Sequence, residues 1–326
     1  MEQVKKNKTT FISKPLFKQT FKSNLVLWLV LTIASAAIFF IINIVICSRN
    51  IFANIDMNTV SIYVKDENLS WLQILGLLES MGYNLSKIQI LSQIDLNAII
   101  SDLVYKIAGV LLPMIYVIIT ANALIANQVN SGSMAYVLST PTSRKTVIRT
   151  TFLYMFVALI AMYAVIVTAA LTSETIAGII RINARGGEPN MIPVRTILLC
   201  TGSFFSMFAL TGICFGASAF FNKSSTSLAV GGGICVISFL GCILGLFGSK
   251  VFVGVGLGVE AMNVFNYVSI FSLIDTDSIS NFAKASAGQD VQTSLSWIWQ
   301  FATMFGIGAV AASIGSIKFI KKDLPL

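Results

Sequence analysis

Long uncharged apolar runs, separated by polar segments, dominate the pattern of this chain. Six of them reach the length of about 20 residues that an α-helix needs to cross the hydrocarbon core of a bilayer. A helix satisfies its own backbone hydrogen bonds in lipid, and the strict alternation of barrel strands is absent. The pattern therefore predicts an all-α membrane protein with six transmembrane helices, at 25–47, 107–126, 151–172, 196–221, 227–248 and 295–317.

The composition agrees with a bilayer environment and removes several kinds of chemistry. The 326 residues have a mean hydropathy of +0.82 and only 11% charged residues, whereas soluble proteins carry roughly 25%. The absence of His excludes His metal sites, His general bases and Ser-His-Asp triads. The five cysteines form no CxxC pair, which predicts small core residues rather than a disulfide framework or a zinc site.

Charge predicts the orientation of the six spans. With the N-terminus inside, the segments 1–24, 127–150, 222–226 and 318–326 would be cytoplasmic and hold 13 Lys and Arg against two acids. The rest of the chain holds 9 cations and 12 acids. This is the positive-inside pattern, so we expect both termini in the cytoplasm of a multi-pass membrane protein.

A seventh apolar run, at 251–274, contains Glu260, Asn263 and Asn266. As a full span it would move the C-terminal lysines to the outside. We therefore predict a re-entrant hairpin on the outer face, within an extracellular region at 249–294. The alternative is that 251–274 spans the membrane and another run does not.

The remaining polar segments belong to one predicted domain, 1–326. We expect a short amphipathic helix at 11–24 on the inner membrane surface, within a cytoplasmic segment at 1–24; the alternative is a disordered basic tail. The extracellular insertion at 48–104 has a first part that could hold a short strand and a second part with helical spacing. The predicted surface helix carries Lys14, Phe17, Lys18, Phe21 and Lys22.

The loop at 127–150 is polar and basic but keeps an apolar stretch. We expect Gly132 to end the second span, SMAYVLS to form a short helix, and Thr140 to cap a new helix whose first residue is Pro141. Such a projection is suited to docking on another protein. The alternative is a solvated loop that only anchors the chain, but anchoring does not need Met134, Tyr136, Val137 and Leu138.

Motifs for catalysis are missing, while motifs for helix packing are present. There is no GxxxxGK[ST] phosphate loop, so the chain is not predicted to hydrolyse ATP by itself. No carboxylate pair lies inside a span. Gly241 and Gly245, and the series Gly308, Ala312 and Gly315, favour close packing within the chain over a dimer face. The polar residues in or near spans, expected to form interhelix hydrogen bonds, are Asn43, Asn122 and Gln300.

The loop GSMAYVLSTPTSRKTVI, between the second and third of six spans, resembles the cytoplasmic loop of type-2 ABC exporter permeases. The family pattern Gly-[Ser/Thr]-x-x-x-x-Leu-x-[Ser/Thr]-Pro-x-[Ser]-Arg is matched by Gly132, Ser133, Leu138, Ser139, Thr140, Pro141, Ser143 and Arg144. The basic N-terminal helix and the hairpin before the last span also resemble that family. The sequence of the loop is similar to that of permeases from Gram-positive bacteria that export peptides such as phenol-soluble modulins or confer immunity to antimicrobial peptides.

The resemblance implies a half-transporter without a cofactor of its own. Two permease chains would form a homodimer and pair with two copies of a separate ATPase, which would supply the ATP and Mg²⁺ chemistry. The cargo would be amphipathic: a peptide, a drug or a lipid-like molecule. The ATPase would contact the surface helix and the loop residues Gly132, Met134, Tyr136, Leu138, Ser139, Thr140, Pro141, Arg144 and Lys145. One departure is that Asn127, Gln128 and Asn130 stand where family members commonly carry an acid.

Other functions stay open at this point. A stand-alone channel or secondary transporter would move its cargo without ATP. An intramembrane enzyme would need a constellation of Ser and carboxylates in the spans. A non-transporting scaffold or sensor would keep the layout of the spans without moving a cargo.

Overall fold

The computed structural model describes residues 12–49, 62–64, 67–69, 104–139, 142–185, 192–248, 253, 258–288 and 291–322. Six helices in these ranges are long and apolar enough to cross a membrane, which confirms the predicted all-α fold with six spans. The six spanning helices are α1 (Lys14–Arg49), α2 (Val104–Asn130), α4 (Arg144–Arg185), α5 (Pro193–Phe220), α6 (Ser224–Phe247) and α8 (Ser296–Lys321). Two shorter helices, α3 (Ser133–Ser139) and α7 (Thr276–Ser286), lie between them.

The insertion between α1 and α2 is described only at two short strands. Strand β1 (Ile62–Val64) pairs antiparallel with β2 (Glu67–Leu69), with Tyr63 opposite Asn68. This agrees with the strand expected in the first part of the insertion. The helices expected in its second part lie outside the described residues.

Helix α1 corrects the prediction of a separate surface helix. It runs unbroken for 36 residues from Lys14, about 54 Å at 1.5 Å per residue, so it extends beyond a hydrocarbon core of about 30 Å. Its first turns pack along α4. Just before the helix, Ser13 N donates to Thr150 Oγ1 at 3.1 Å, and within it the Phe17 ring lies 5.8 Å from the Tyr154 ring, measured between ring centres. The basic segment is therefore the first part of the first spanning helix.

Helices α5 and α8 approach each other backbone to backbone. They run in the same direction, and a Cβ added at Gly212 would clash with the main chain of Gly308. Farther along, a Cβ added at Gly315 would lie 2.5 Å from Gly216 Cα. Gly308 and Gly315 of α8 thus pack within the chain, as the sequence favoured over a dimer face.

The apolar run after α6 forms two 3₁₀ helices, Glu260–Tyr267 and Ile270–Leu273, in what we call the folded-back segment (residues 258–274). It passes back along α6: Asn266 Nδ2 donates to Gly245 O at 3.2 Å, and Ser269 Oγ donates to Ser238 O at 2.8 Å. Thus the GxxxG of Gly241 and Gly245 packs against this segment.

The folded-back segment then turns toward α5 and reverses. A Cβ added at Gly202 would lie 3.1 Å from Ile274 Cγ2. Asp275 caps α7 by accepting a hydrogen bond from Ser278 N at 3.0 Å, and Arg195 Nε donates to Ser280 Oγ at 3.0 Å. The chain therefore runs back along α6 and returns along α5 to the start of α7.

Helix α2 is the least regular of the six. Its α-helical part, Gly109–Ala121, contains Pro113 and lies between two π-helical segments, Val104–Ala108 and Asn122–Ala126. Pro removes a backbone donor, and π segments widen a helix locally. Several hydrogen bonds of the regular α-helical ladder are therefore missing in the helix that leads into α3.

Candidate functional site

One end of the bundle carries the predicted loop and a concentration of positive charge. We call it the basic end: the starts of α1 and α4, helix α3, the turn between α5 and α6, and the end of α8. Its described residues include no Asp or Glu. Its cations are Lys14, Lys18, Lys22, Arg144, Lys145, Arg149, Lys223, Lys318, Lys321 and Lys322.

A tight turn separates α2 from α3 at this end. Gly132 has a φ of 74°, a left-handed conformation that costs glycine little. The Ser131 and Ser133 hydroxyls donate to Gln128 O at 3.4 Å and 3.2 Å, which satisfies a carbonyl at the end of α2. The prediction that Gly132 ends the second span and that SMAYVLS is helical is confirmed.

The start of α4 differs from the prediction. Thr140 and Pro141 lie outside the described residues, and the next two residues are not helical. The helix begins at Arg144, and Ser143 caps it because Ser143 Oγ accepts from Thr146 N at 3.1 Å. Helix α4 therefore does not begin at Pro141 with Thr140 as its cap. Its N-cap is Ser143, which is also the serine of the family pattern.

Helix α3 divides its side chains between the bundle and solvent. Met134 is buried, with 3% of its surface exposed, whereas Tyr136 is 80% exposed. Val137 and Leu138 are half-buried, and Ser139 is exposed. Met134 thus anchors α3, while Tyr136 is the large side chain of this helix that a partner could reach.

Arg144 binds the end of α8. Its Nη1 donates to Lys322 O at 2.7 Å, and Lys322 Nζ donates to Phe220 O, at the end of α5, at 2.7 Å. Burial, and then the charge of neighbouring Lys318, lowers the pKa of Lys322. Lys318 lies 5.3 Å from the centre of the Phe220 ring. These contacts join α4, α5 and α8 beside α3, while Lys145 of the same loop stays exposed.

One pair of this end was not predicted from the sequence. Asn122 Nδ2 donates to Ser224 Oγ at 2.8 Å, and the geometry also allows Ser224 Oγ to donate to Asn122 Oδ1 at 3.2 Å. The pair joins the last π segment of α2 to the first turn of α6. An interhelix hydrogen bond was expected for Asn122, but its partner is 102 residues away and no local pattern marks it.

The residues of the predicted surface helix lie on two sides of α1. Lys14, Lys18 and Lys22 are exposed, and Phe21 is 47% exposed. Phe17 instead packs within the bundle against Tyr154. Three lysines at a spacing of four residues thus form one exposed stripe on the first turns of α1.

The chain was compared with family models and with known proteins. The model described as "ABC-2 family transporter protein" matches residues 31–324. The chain belongs to the ABC-2 transporter family. This permease is therefore the membrane subunit of an ABC transporter, a multi-pass component that has no ATPase of its own, and its family implies an ABC ATPase and a lipid bilayer as partners. The comparisons with curated proteins and with solved structures gave no match.

The family assignment gives the basic end a context. A transport subunit without its own ATPase needs a surface through which the nucleotide-driven motion of a partner reaches the spans. Helix α3 is a short helix at the tip of α2 with one large exposed side chain and exposed cations nearby. Among the described residues, it is the element whose geometry fits such a contact best.

Proposed function

We propose that this permease is the translocating subunit of an ATP-driven exporter and that α3 with the start of α4 receives the motion of a separate ATPase. The observation that carries the proposal is the division of α3 between the buried Met134 and the exposed Tyr136. An anchor on one side and a contact on the other let a push on α3 reach α2 directly.

The orientation in this proposal rests on charge. The basic end has ten cations and no acid in its described residues. By the positive-inside rule, such an end lies on the cytoplasmic side of a bacterial plasma membrane. The ATPase acts from the same compartment. The folded-back segment is then a re-entrant hairpin on the outer face.

The proposed assembly contains two permease chains and two ATPase subunits. ATP binding would bring the ATPases together and move α3, and the spans would shift between two states. Tyr136, Ser139 and Lys145 would touch the ATPase, while Met134, Leu138 and Arg144 would hold the contact surface in place. The three exposed lysines of α1 would extend that surface or bind anionic headgroups.

An amphipathic cargo is the class that we propose for this exporter. It could be a peptide of the phenol-soluble-modulin kind, or a drug or lipid-like molecule. Such cargo can enter a pathway from the bilayer as well as from water. ATP-dependent uptake of an amphipathic peptide into inverted vesicles, absent without the ATPase, would support export, whereas uptake without ATP would favour a channel or a secondary transporter.

The docking role has a direct test with a matched control. Tyr136→Ala should lower copurification of the ATPase subunit, because the substitution removes the large exposed ring of α3. Tyr267, which is 87% exposed in the folded-back segment, provides the control, and Tyr267→Ala should leave copurification unchanged. Unchanged copurification of the Tyr136→Ala variant, with Lys145→Glu added, would refute docking through α3.

A further inference from the structure

A cavity of about 620 Å³ lies between the folded-back segment, α6 and the first turn of α2. Ligand sites typically have volumes of about 300–1,000 Å³. Its apolar wall consists mainly of Leu246, Ile270, Leu273 and Ile307, and its polar wall includes Lys106, Asn263 and Asn266. The cavity is distant in the fold from α3, at the opposite end of the spans.

Lys106 is the only charged residue among the described residues that line this cavity. Its neighbour Tyr105 accepts a hydrogen bond at its carbonyl from Ser203 Oγ, at 2.8 Å. Ser203 lies ten residues into α5 from Pro193, or about 15 Å along the helix. Lys106 is therefore level with Gly202, against which Ile274 of the folded-back segment packs.

A cation at such a depth faces protein or a polar cavity because contact with hydrocarbon is costly. Lys106 follows this rule, since it lines the cavity and is half-buried. It also lies in the π-helical segment Val104–Ala108. Segments of this kind occur frequently at functional sites.

The hydrogen bonds of the polar wall determine which ligand groups it can still bind. The Asn266 amide donates to Gly245 O and to Asn263 Oδ1, at 3.2 Å and 2.8 Å, and Ser269 Oγ donates to Ser238 O. The Asn263 Nδ2 group donates to no atom in the described part of the chain. A cation and an amide donor beside an apolar wall select a ligand with an acidic head and an apolar tail.

We propose that this cavity binds one anionic amphiphile, with its phosphate or carboxylate on Lys106 and its tail along Ile270, Leu273 and Ile307. Two sources share this chemistry: a phospholipid of the adjacent leaflet, or a single-chain amphiphile that enters as cargo. The cargo source rests on the transport function proposed above. The lipid source rests only on the membrane position of the spans.

Binding to the detergent-purified full chain tests the site by native mass spectrometry. The lipid probe is phosphatidylglycerol, with zwitterionic phosphatidylcholine as its reference, and the single-chain probes are laurate and dodecyl phosphate. Lys106→Gln should weaken binding of the anionic probes about tenfold to a hundredfold, since a hydrogen bond to a charged group contributes about one to two factors of ten. Lys106→Arg should keep most of the affinity.

Two further variants make the test specific. Lys284→Gln removes a cation from α7, which does not line the cavity, and should leave binding unchanged. Ile307→Trp should weaken binding because the larger side chain would fill the space beside the apolar wall, while Lys106 stays in place. A Lys106-dependent preference for phosphatidylglycerol assigns the site to lipid, and a preference for the single-chain probes assigns it to cargo.

Equal binding of both lipids and both single-chain probes to the natural chain and to Lys106→Gln would overturn the proposal. The result is separable from the docking role of α3. If the Lys106 variants still copurify with the ATPase, loss of amphiphile binding concerns the cavity alone. If Tyr136→Ala loses the ATPase and still binds amphiphile, the cavity stands without the docking surface.

Discussion

The α5–α8 pair and the α2–α3 unit lie in one bundle, and α5 contacts both, but they are held in different ways. Glycines bring α5 and α8 into main-chain contact at two levels, which leaves little room for sliding. Helix α2 instead has two π segments and Pro113, and the Asn122–Ser224 pair ties its end to α6. The difference indicates a rigid pair beside a deformable helix that carries α3.

The largest expected effect is on the rigid pair. A Cβ at Gly308 would lie 2.8 Å from Phe208 O, so Gly308→Leu must separate α8 from α5. We expect a loss of about 3 kcal/mol or more, since overpacking at a fixed backbone is costly. The measurement is the yield of monodisperse protein and its thermal unfolding in detergent.

Gly306 provides the matched control, two residues away on the same helix. A Cβ at Gly306 meets no atom within 4 Å, so Gly306→Leu should fold normally. Equal stability of the two variants would contradict a rigid α5–α8 pair.

The second effect separates anchoring from docking within α3. Met134→Ala removes a side chain with 3% exposure and should destabilise the local fold by about 2 kcal/mol. Faster hydrogen exchange over 127–139 would show this. Tyr136→Ala, on the exposed side, should leave exchange unchanged and reduce copurification of the ATPase. If Tyr136→Ala instead loosens α3 and Met134→Ala does not, the two roles are assigned wrongly.

The third effect concerns the turn before α3. The φ of Gly132 is 74°, and its added Cβ would meet nothing within 4 Å, so Gly132→Ala has only a conformational cost of about 1 kcal/mol. Gly132→Asn should recover part of it, since Asn tolerates this conformation. Thermal unfolding measures both variants.

Gly288 makes the comparison specific to the basic end. Its φ is 85°, and it too has open space around it, so Gly288→Ala should have a similar conformational cost. It lies after α7, far from α3 in the chain, and should not change copurification of the ATPase. A similar loss of the ATPase in both variants would mean that general instability, and not the turn, causes it.

The spans were predictable from the sequence because their signal is local. Each needs only an uncharged apolar run of sufficient length, and Gly132 marked its turn through its own conformational preference. The continuity of the basic segment with the first span was not predictable. It depends on packing between Phe17 and Tyr154, residues that lie 137 positions apart in the chain. A basic amphipathic stretch is compatible both with a surface helix and with the first turns of a span.

The candidate site was predictable as a segment but not in its detailed contacts. Thr140 and Ser143 are both suitable caps by residue type, and in the structure Ser143 caps α4. The bond from Arg144 to Lys322 O and the cavity beside Lys106 join segments that are distant in the chain. Residue patterns along one segment contain no information about which distant segment will pack against it.

The smallest expected effect tests the tie between α2 and α6. Asn122→Ala and Ser224→Ala should each cost little, with a coupling energy of about 0.6 kcal/mol in a double-mutant cycle, since interhelix hydrogen bonds in membranes are weak. The effect on transport should be larger than this small coupling energy suggests. Either variant should keep ATPase binding but lower the amount of cargo moved per ATP hydrolysed, because motion of α3 would no longer reach α6 through this pair. Unchanged transport per ATP in both variants would show that α2 passes its motion to the bundle through α5 instead.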